Sequence, residues 1–159
     1  MVSLAASQTE ALSVDERELQ RTSVSYTIDT LMELRAELGD EVSISWCVGM
    51  DSLVNLSTWH RWQELLNYAH LVVVARPGFI VPSEGDVASW LHQHVSTAAT
   101  LHECSNGSVV IETLSLLPIS ATDIRAKRAA GLSAQDLLPD SVWQYIEEKH
   151  LYLTEEVES

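Results

Sequence analysis

The sequence predicts an α/β fold built on a parallel sheet. Short apolar runs alternate along the chain with amphipathic stretches of helical period. Leu71–Ala75 is apolar at every position, which suits a parallel strand buried on both faces. The runs close on turn residues, Gly49 after one and Arg76-Pro77-Gly78 after another.

Taken in order, Met1–Ala6 reads as the last turns of a helix with no cap or strand before it. Ala11–Val14 is expected to be a strand. Tyr26–Leu38 puts Ile28, Leu31, Leu34 and Leu38 on one stripe and Asp29, Glu33 and Glu37 outside it, the pattern of a half-buried helix. Ser25 is its expected cap. In Ser43–Gly49, the alternation of Ile44, Trp46 and Val48 with smaller residues predicts a strand. Trp59, Trp62, Leu65, Leu66 and Ala69 predict a second helix, capped by Ser57 or Thr58. Residues 82–107 are polar and carry His92, His94 and His102, so they read as an insertion of one helix plus a loop. Ser108–Leu114 is a further strand. Ser120–Ala130 opens with Ser120-x-x-Asp123, the capping-box spacing with Asp for Glu, and stops at Gly131. Asp140–His150 is the closing helix.

Composition narrows the function classes. Hydrophobic residues at 46% and charged residues at 20% suit one globular domain with a sizeable core. Lys and Arg number 9 against 23 Asp and Glu, a formal charge of -14, so nucleic acid is not an expected partner. No apolar run has the length of a membrane span and no signal peptide is visible, so a cytoplasmic location and no membrane partner are expected. Cys47 and Cys104 form no paired motif and suit a reducing compartment.

Four constellations carry possible chemistry. Ile119-Ser120-Ala121-Thr122-Asp123-Ile124-Arg125 follows a strand and opens a helix, where free N–H groups, two hydroxyls and Arg125 with Arg128 suit phosphates. Its plain alternative is a well-capped helix. Gly49-Met50-Asp51 at a strand end offers close backbone approach and a carboxylate for ribose hydroxyls; alternatively Asp51 caps a short helix through Leu56. In Trp59-His60-Arg61-Trp62, Trp62 reads as core and Trp59 as a residue able to stack on a planar ligand, with His60 at the surface. His92-x-His94 with His102-x-Cys104 has metal-ligand residue types. Helical residues two apart diverge, however, so no metal site is expected there.

In order, these pieces resemble one family. Asp15-Glu16-Arg17-Glu18-Leu19 and Ser25-Tyr26-Thr27 with Thr30-Leu31 resemble its D-x-R-E-x and S-Y-T-x-x-T-L stretch. Gly49-Met50-Asp51-Ser52-Leu53 resembles G-x-D-S-L, and Trp59-His60-Arg61-Trp62 resembles W-x-x-[WY]. Ala69–Val73 leading to Arg76-Pro77-Gly78, Ile119–Arg125 as I-S-x-T-x-I-R, and Leu137-Leu138-Pro139 with its following helix complete the match. The family is the bacterial nicotinate-nucleotide adenylyltransferases. The resemblance implies one nucleotidyltransferase domain over residues 1–159, with a Rossmann-like nucleotidyltransferase fold. It implies transfer of AMP from ATP to nicotinate mononucleotide, with Mg²⁺ accompanying ATP, by a monomer or homodimer. Tyr26 and Thr27 are then expected at the nicotinate carboxylate, Trp59 on the pyridine ring and Arg76 near the mononucleotide. Gly49 and Asp51 fall on the adenosine ribose side, and Ile119 beside the adenine. Ser120, Thr122 and Arg125 are expected to bind the ATP phosphates.

One departure stands out. The family opens with G-G-[ST]-F-D-P-x-H-x-G-H, whose two histidines contact ATP, and no such motif occurs in this sequence. Met1 aligns inside the family's second helix, so the expectation is a sheet without its first βαβ unit and a chain with little or no turnover. The rival readings are a non-catalytic nucleotide-binding remnant of the same fold, a preference for nicotinamide mononucleotide, and a metal-binding protein centred on the histidines.

Overall fold

A computed structural model of the chain describes residues 1–75, 80–114 and 119–153. In chain order the helices and strands are α1 (Val2–Ala6), α2 (Arg17–Gln20), α3 (Thr27–Leu38), β1 (Ser45–Gly49), α4 (Met50–Val54), β2 (His70–Ala75), α5 (Gly85–His94), β3 (Val95–Ser96), β4 (Val109–Thr113), α6 (Ala121–Ala129) and α7 (Asp140–Glu148). They divide into two compact units: Arg17–Leu116, and a second made of Met1–Glu16 with Leu117–Ser159. Among the described residues, no helix is long and apolar enough to cross a membrane.

The larger unit holds a four-stranded sheet of order β1-β2-β4-β3, and every pairing is parallel. Gly49 pairs with Val74 and Val74 with Glu112, so the strands end along one edge. β2 is the most apolar strand and lies inside the sheet, with Leu71 and Val73 buried. β1 lies at the side of the described sheet, where Trp46 and Val48 pack on the core while Ser45 and Cys47 face outward. Ile28, Leu31, Leu53, Leu56, Leu65 and Val109 fill the space between sheet and helices.

Three expectations are corrected. Ala11–Val14 forms no strand; Leu12 and Val14 are exposed, and the Leu12 N–H turns back to Thr9 O. Four residues with no neighbouring strand cannot bury a face, and β3 takes the remaining place in the sheet. The expected helix from Trp59 is instead two 3₁₀ segments, Leu56–Thr58 and Trp62–Asn67, separated by a turn with Arg61 left-handed at φ 52°. The reason is legible afterwards: Leu56, Trp59, Trp62 and Leu65 recur every third residue, the 3₁₀ period. Ser25 does not cap α3; Tyr26 does so with extended backbone, and Ser25 Oγ accepts from Arg21. The 82–107 segment carries the expected helix, and it also adds β3 and places Val87, Trp90 and Leu91 in the core.

Two buried polar side chains fix the amino edge of the sheet. Arg35, 7% exposed, donates to Tyr68 O from Nε (3.1 Å) and Nη2 (2.7 Å). It also donates to Gly39 O (2.8 Å), Val42 O (2.7 Å) and Ser105 O (2.9 Å). These carbonyls end α3 and precede β1, β2 and β4. His70 at the start of β2 accepts the Ser108 N–H at Nδ1 (3.2 Å), which makes Nε2 the protonated nitrogen that donates to Cys104 O (3.0 Å).

The second unit is helical. Ile124, Val142, Trp143 and Ile146 form its core, with Leu4, Ala5 and Leu151 packed against them. Gln8 Nε2 donates to Ser141 Oγ (3.0 Å), tying the segment after α1 to α7. The Arg128 guanidinium lies over the Trp143 ring at 5.4 Å.

Arg35→Met leaves those carbonyls without their donor in a buried setting, and should lower unfolding free energy by about 3 kcal/mol in urea titrations. Arg35→Lys should restore only part, because an ammonium cannot reproduce the planar fork. Wild-type stability in the Met variant would show that the guanidinium holds nothing together.

Candidate functional site

The start of α3 is held by the segment before it. Arg17 pairs with Glu37 (2.9 Å), and Arg21 with Glu33 (2.8 Å). Arg21 Nη1 also donates to Ser25 Oγ and Thr30 Oγ1, both at 2.8 Å. Thr30 Oγ1 donates in turn to Glu18 Oε1 (2.6 Å). The family-like stretches around Arg17-Glu18 and Ser25–Leu31 are therefore one strap that sets the entry to α3. Sequence reading missed Arg21, although a signal was present: Arg17 and Arg21 are four apart, as are Glu33 and Glu37. Tyr26 is exposed and Thr27 half-buried at the helix start, where the first N–H groups have no intrahelical acceptor.

The turn at Trp59–Arg61 meets this entry. Trp59 is half-buried, packed on the core along one side. His60 is exposed, as expected, but its ring lies 4.4 Å from the Tyr26 ring with a 34° tilt. Trp62 packs on the core and meets Trp90 edge-on at 5.3 Å. Arg61 forks onto Glu64 through Nε (2.9 Å) and Nη2 (2.6 Å). That guanidinium holds the Glu64 carboxyl below the usual carboxylate range. The folded form lowers this pKa, so its contribution to stability is intact at neutral pH and fades only as pH falls through the lowered value.

Gly49 and Asp51 stand where β1 ends. Gly49, not Asp51, is the cap residue of α4, and the helix stops at Val54. The Asp51 carboxylate folds back over the glycine, so that a Cβ on residue 49 would lie 2.5 Å from Asp51 Oδ1. Glycine thus leaves room for the acid to sit against the backbone at the strand end, and Asp51 remains exposed.

In the helical unit, Ser120 caps α6 as its spacing predicts. Its Oγ accepts the Asp123 N–H (3.0 Å) and donates to Asp123 Oδ2 (2.6 Å). Thr122 and Arg125 are exposed in the first turns, and Ile119 is half-buried against the unit's core. Arg76 lies outside the described residues. The described residues hold no group of three or more His, Cys, Asp or Glu able to bind a metal ion. His94 Nδ1 bonds Trp90 O (2.8 Å).

A parallel sheet whose first described strand closes on Gly-Met-Asp is matched by the cytidylyltransferase-like family model over residues 1–127, which places the chain among nucleotidyltransferases of that class. A protein of Cellvibrio japonicus described as "Probable nicotinate-nucleotide adenylyltransferase" is 53% identical over 152 residues, 96% of this chain and 72% of its own length. Proteins of the same description from Aeromonas hydrophila and Pectobacterium atrosepticum are 48% and 46% identical, again over 96% of this chain. The chain belongs to the nicotinate-nucleotide adenylyltransferases, enzymes of NAD biosynthesis. Among solved structures, Plasmodium falciparum nicotinic acid mononucleotide adenylyltransferase complexed with APC superposes with a TM-score of 0.54 at 15% identity. The match covers 82% of this chain and 60% of that one; the same enzyme complexed with NaAD gives 0.53, 82% and 58%. These likenesses support the Rossmann-like nucleotidyltransferase fold.

Ser120→Ala removes the cap of α6 and should cost about 1 kcal/mol of stability, whereas Ser120→Thr should cost much less. Chemical denaturation of the two variants checks this, and equal loss in both would discount the hydroxyl.

Proposed function

We propose that this chain carries the substrate-binding residues for transfer of AMP from ATP to nicotinate mononucleotide, giving deamido-NAD and pyrophosphate. The observation that carries the reading is the meeting of two family motifs: the α3 entry at Tyr26-Thr27 and the Trp59-His60 turn come together through the Tyr26–His60 ring contact. Trp59 stacks on the pyridine ring, and the N–H groups at Tyr26 and Thr27 receive its carboxylate. Arg76 lies near the mononucleotide. Gly49 and Asp51 serve the adenosine ribose. Ile119 borders the adenine, while Ser120, Thr122 and Arg125 bind the ATP phosphates.

In the reaction, a phosphate oxygen of the mononucleotide attacks the α-phosphorus of ATP in line. One P–O bond forms as the bond to the β-phosphate oxygen breaks, and pyrophosphate leaves with its electron pair. No side chain is a covalent nucleophile, so the residues act by positioning and charge. Mg²⁺ enters on the triphosphate as part of the substrate, a mode that needs few protein ligands. Cytoplasmic work suits the reading, and both cysteines are free thiols.

Calorimetry with each nucleotide separately tests the assignment, and a pyrophosphate assay separates turnover from binding alone. Trp59→Ala should weaken nicotinate mononucleotide roughly tenfold or more, the scale of a lost stacking partner, and leave ATP unchanged. Arg125→Ala should weaken ATP by about tenfold and leave the mononucleotide unchanged. Absence of mononucleotide binding by the native chain would end the proposal. Binding without pyrophosphate release is the outcome expected where the two-histidine motif does not occur, and turnover near that of a full-length relative would overturn that expectation.

A further inference from the structure

The helical unit carries a pocket of about 150 Å³ beside the start of α6. Ile124, Val142, Ile146 and Tyr152 form much of its wall, and Arg125 is the one charged side chain among its lining residues. The exposed Arg125 guanidinium makes no hydrogen bond or ion pair among the described residues. In the larger unit, by contrast, Arg17, Arg21 and Arg61 each pair with a glutamate. A cation left over beside an apolar pocket suits a carboxylate that has an apolar neighbour.

Such a pair follows directly in the chain. Tyr152 lines the pocket, and the sequence beyond it reads Leu153-Thr154-Glu155-Glu156-Val157-Glu158-Ser159. Side chains of an extended segment alternate, so Glu155 and Val157 share one face and Glu156 and Glu158 the other. Glu155 stands three residues after Tyr152, a reach of about 10 Å, and Arg125 lines the same pocket as Tyr152. We propose that residues 154–159 dock on this pocket, with Val157 against its apolar wall and the Glu155 carboxylate on Arg125, where they compete with the ATP phosphates. The competition rests on the proposed function, which gives Arg125 to those phosphates; the docking does not. A short tether holds the segment at an effective concentration of about a millimolar, so a weak contact suffices to occupy the seat part of the time. A triphosphate carries more charge than one carboxylate and displaces it. The segment thus raises the ATP concentration needed for binding without blocking the site.

The experiment compares the native chain with a chain stopped after Leu153 and with Glu155→Gln, Glu156→Gln and Val157→Ser. Methyl NMR of Ile124, Val142 and Ile146 reads the docking with no nucleotide present, and calorimetry reads ATP and nicotinate mononucleotide separately. Stopping the chain after Leu153 should shift those methyl signals. It should also tighten ATP roughly two- to fivefold at low salt, the scale of one exposed ion pair, and leave the mononucleotide unchanged. The gain should shrink as added salt screens the pair. Glu155→Gln and Val157→Ser should reproduce much of both effects, and Glu156→Gln, which removes the same charge from the other face, little of either. Unchanged methyl signals in the shortened chain overturn the docking, whatever ATP does. Shifted signals with unchanged ATP affinity overturn the competition and leave the proposed function standing. Equal effects of Glu155→Gln and Glu156→Gln assign the result to net charge and overturn the seat at Arg125. If neither the native nor the shortened chain binds ATP, the ATP site of the proposed function falls together with the competition, and the methyl signals alone decide the docking.

Discussion

The larger unit depends on one buried cation, Arg35, that meets no carboxylate among the described residues. Arg35 replaces its lost hydration with backbone carbonyls, and those carbonyls belong to three separate segments of chain: the loop holding Gly39 and Val42, Tyr68, and Ser105. A guanidinium suits the task because its donors are fixed in one plane and its charge does not titrate. Desolvating a charge is costly, so the arrangement persists only while every segment stays in place. The end of α3 and the segments that lead into β1, β2 and β4 are thereby set together. His70 adds a second bridge between the start of β2 and the segment before β4.

That fixation lies at the amino edge of the sheet, opposite the end of β1 where Gly49 and Asp51 stand. α3 is anchored by its last turn and runs for twelve residues. At roughly 1.5 Å per residue it spans about 18 Å, close to the length of the strands beside it. Its first turn therefore comes level with the strands' carboxyl ends, where parallel α/β sheets hold ligands. Arg17 and Arg21 then set the entry from outside, and Tyr26 meets His60 there.

Much of this was legible in the sequence because burial has a period. β1, β2, β4, α3, α6 and α7 follow from alternation, continuous apolar runs or helical stripes. The cap of α6 follows from Ser120-x-x-Asp123. What escaped reading was long-range or local in an unusual way. Ala11–Val14 looked like a strand because its residues are apolar, but a strand requires a neighbour. The tryptophan segment has a period of three, which a helical template absorbs when the left-handed residue Arg61 is unknown. β3 is only two residues long and carries no signal of its own. The candidates Gly49, Asp51 and Trp59 were read from motif. The Tyr26–His60 contact links positions 34 apart and could not be read from spacing.

The cap of α6 bears on how an anion could arrive there. In this chain the Ser120 hydroxyl already donates to an internal carboxylate, that of Asp123, while its oxygen accepts the Asp123 amide N–H. Under the proposed function an incoming phosphate competes with that tethered carboxylate for the serine hydroxyl. Its net affinity at that hydroxyl is a difference between two anions competing for one donor, and the tethered one is always present.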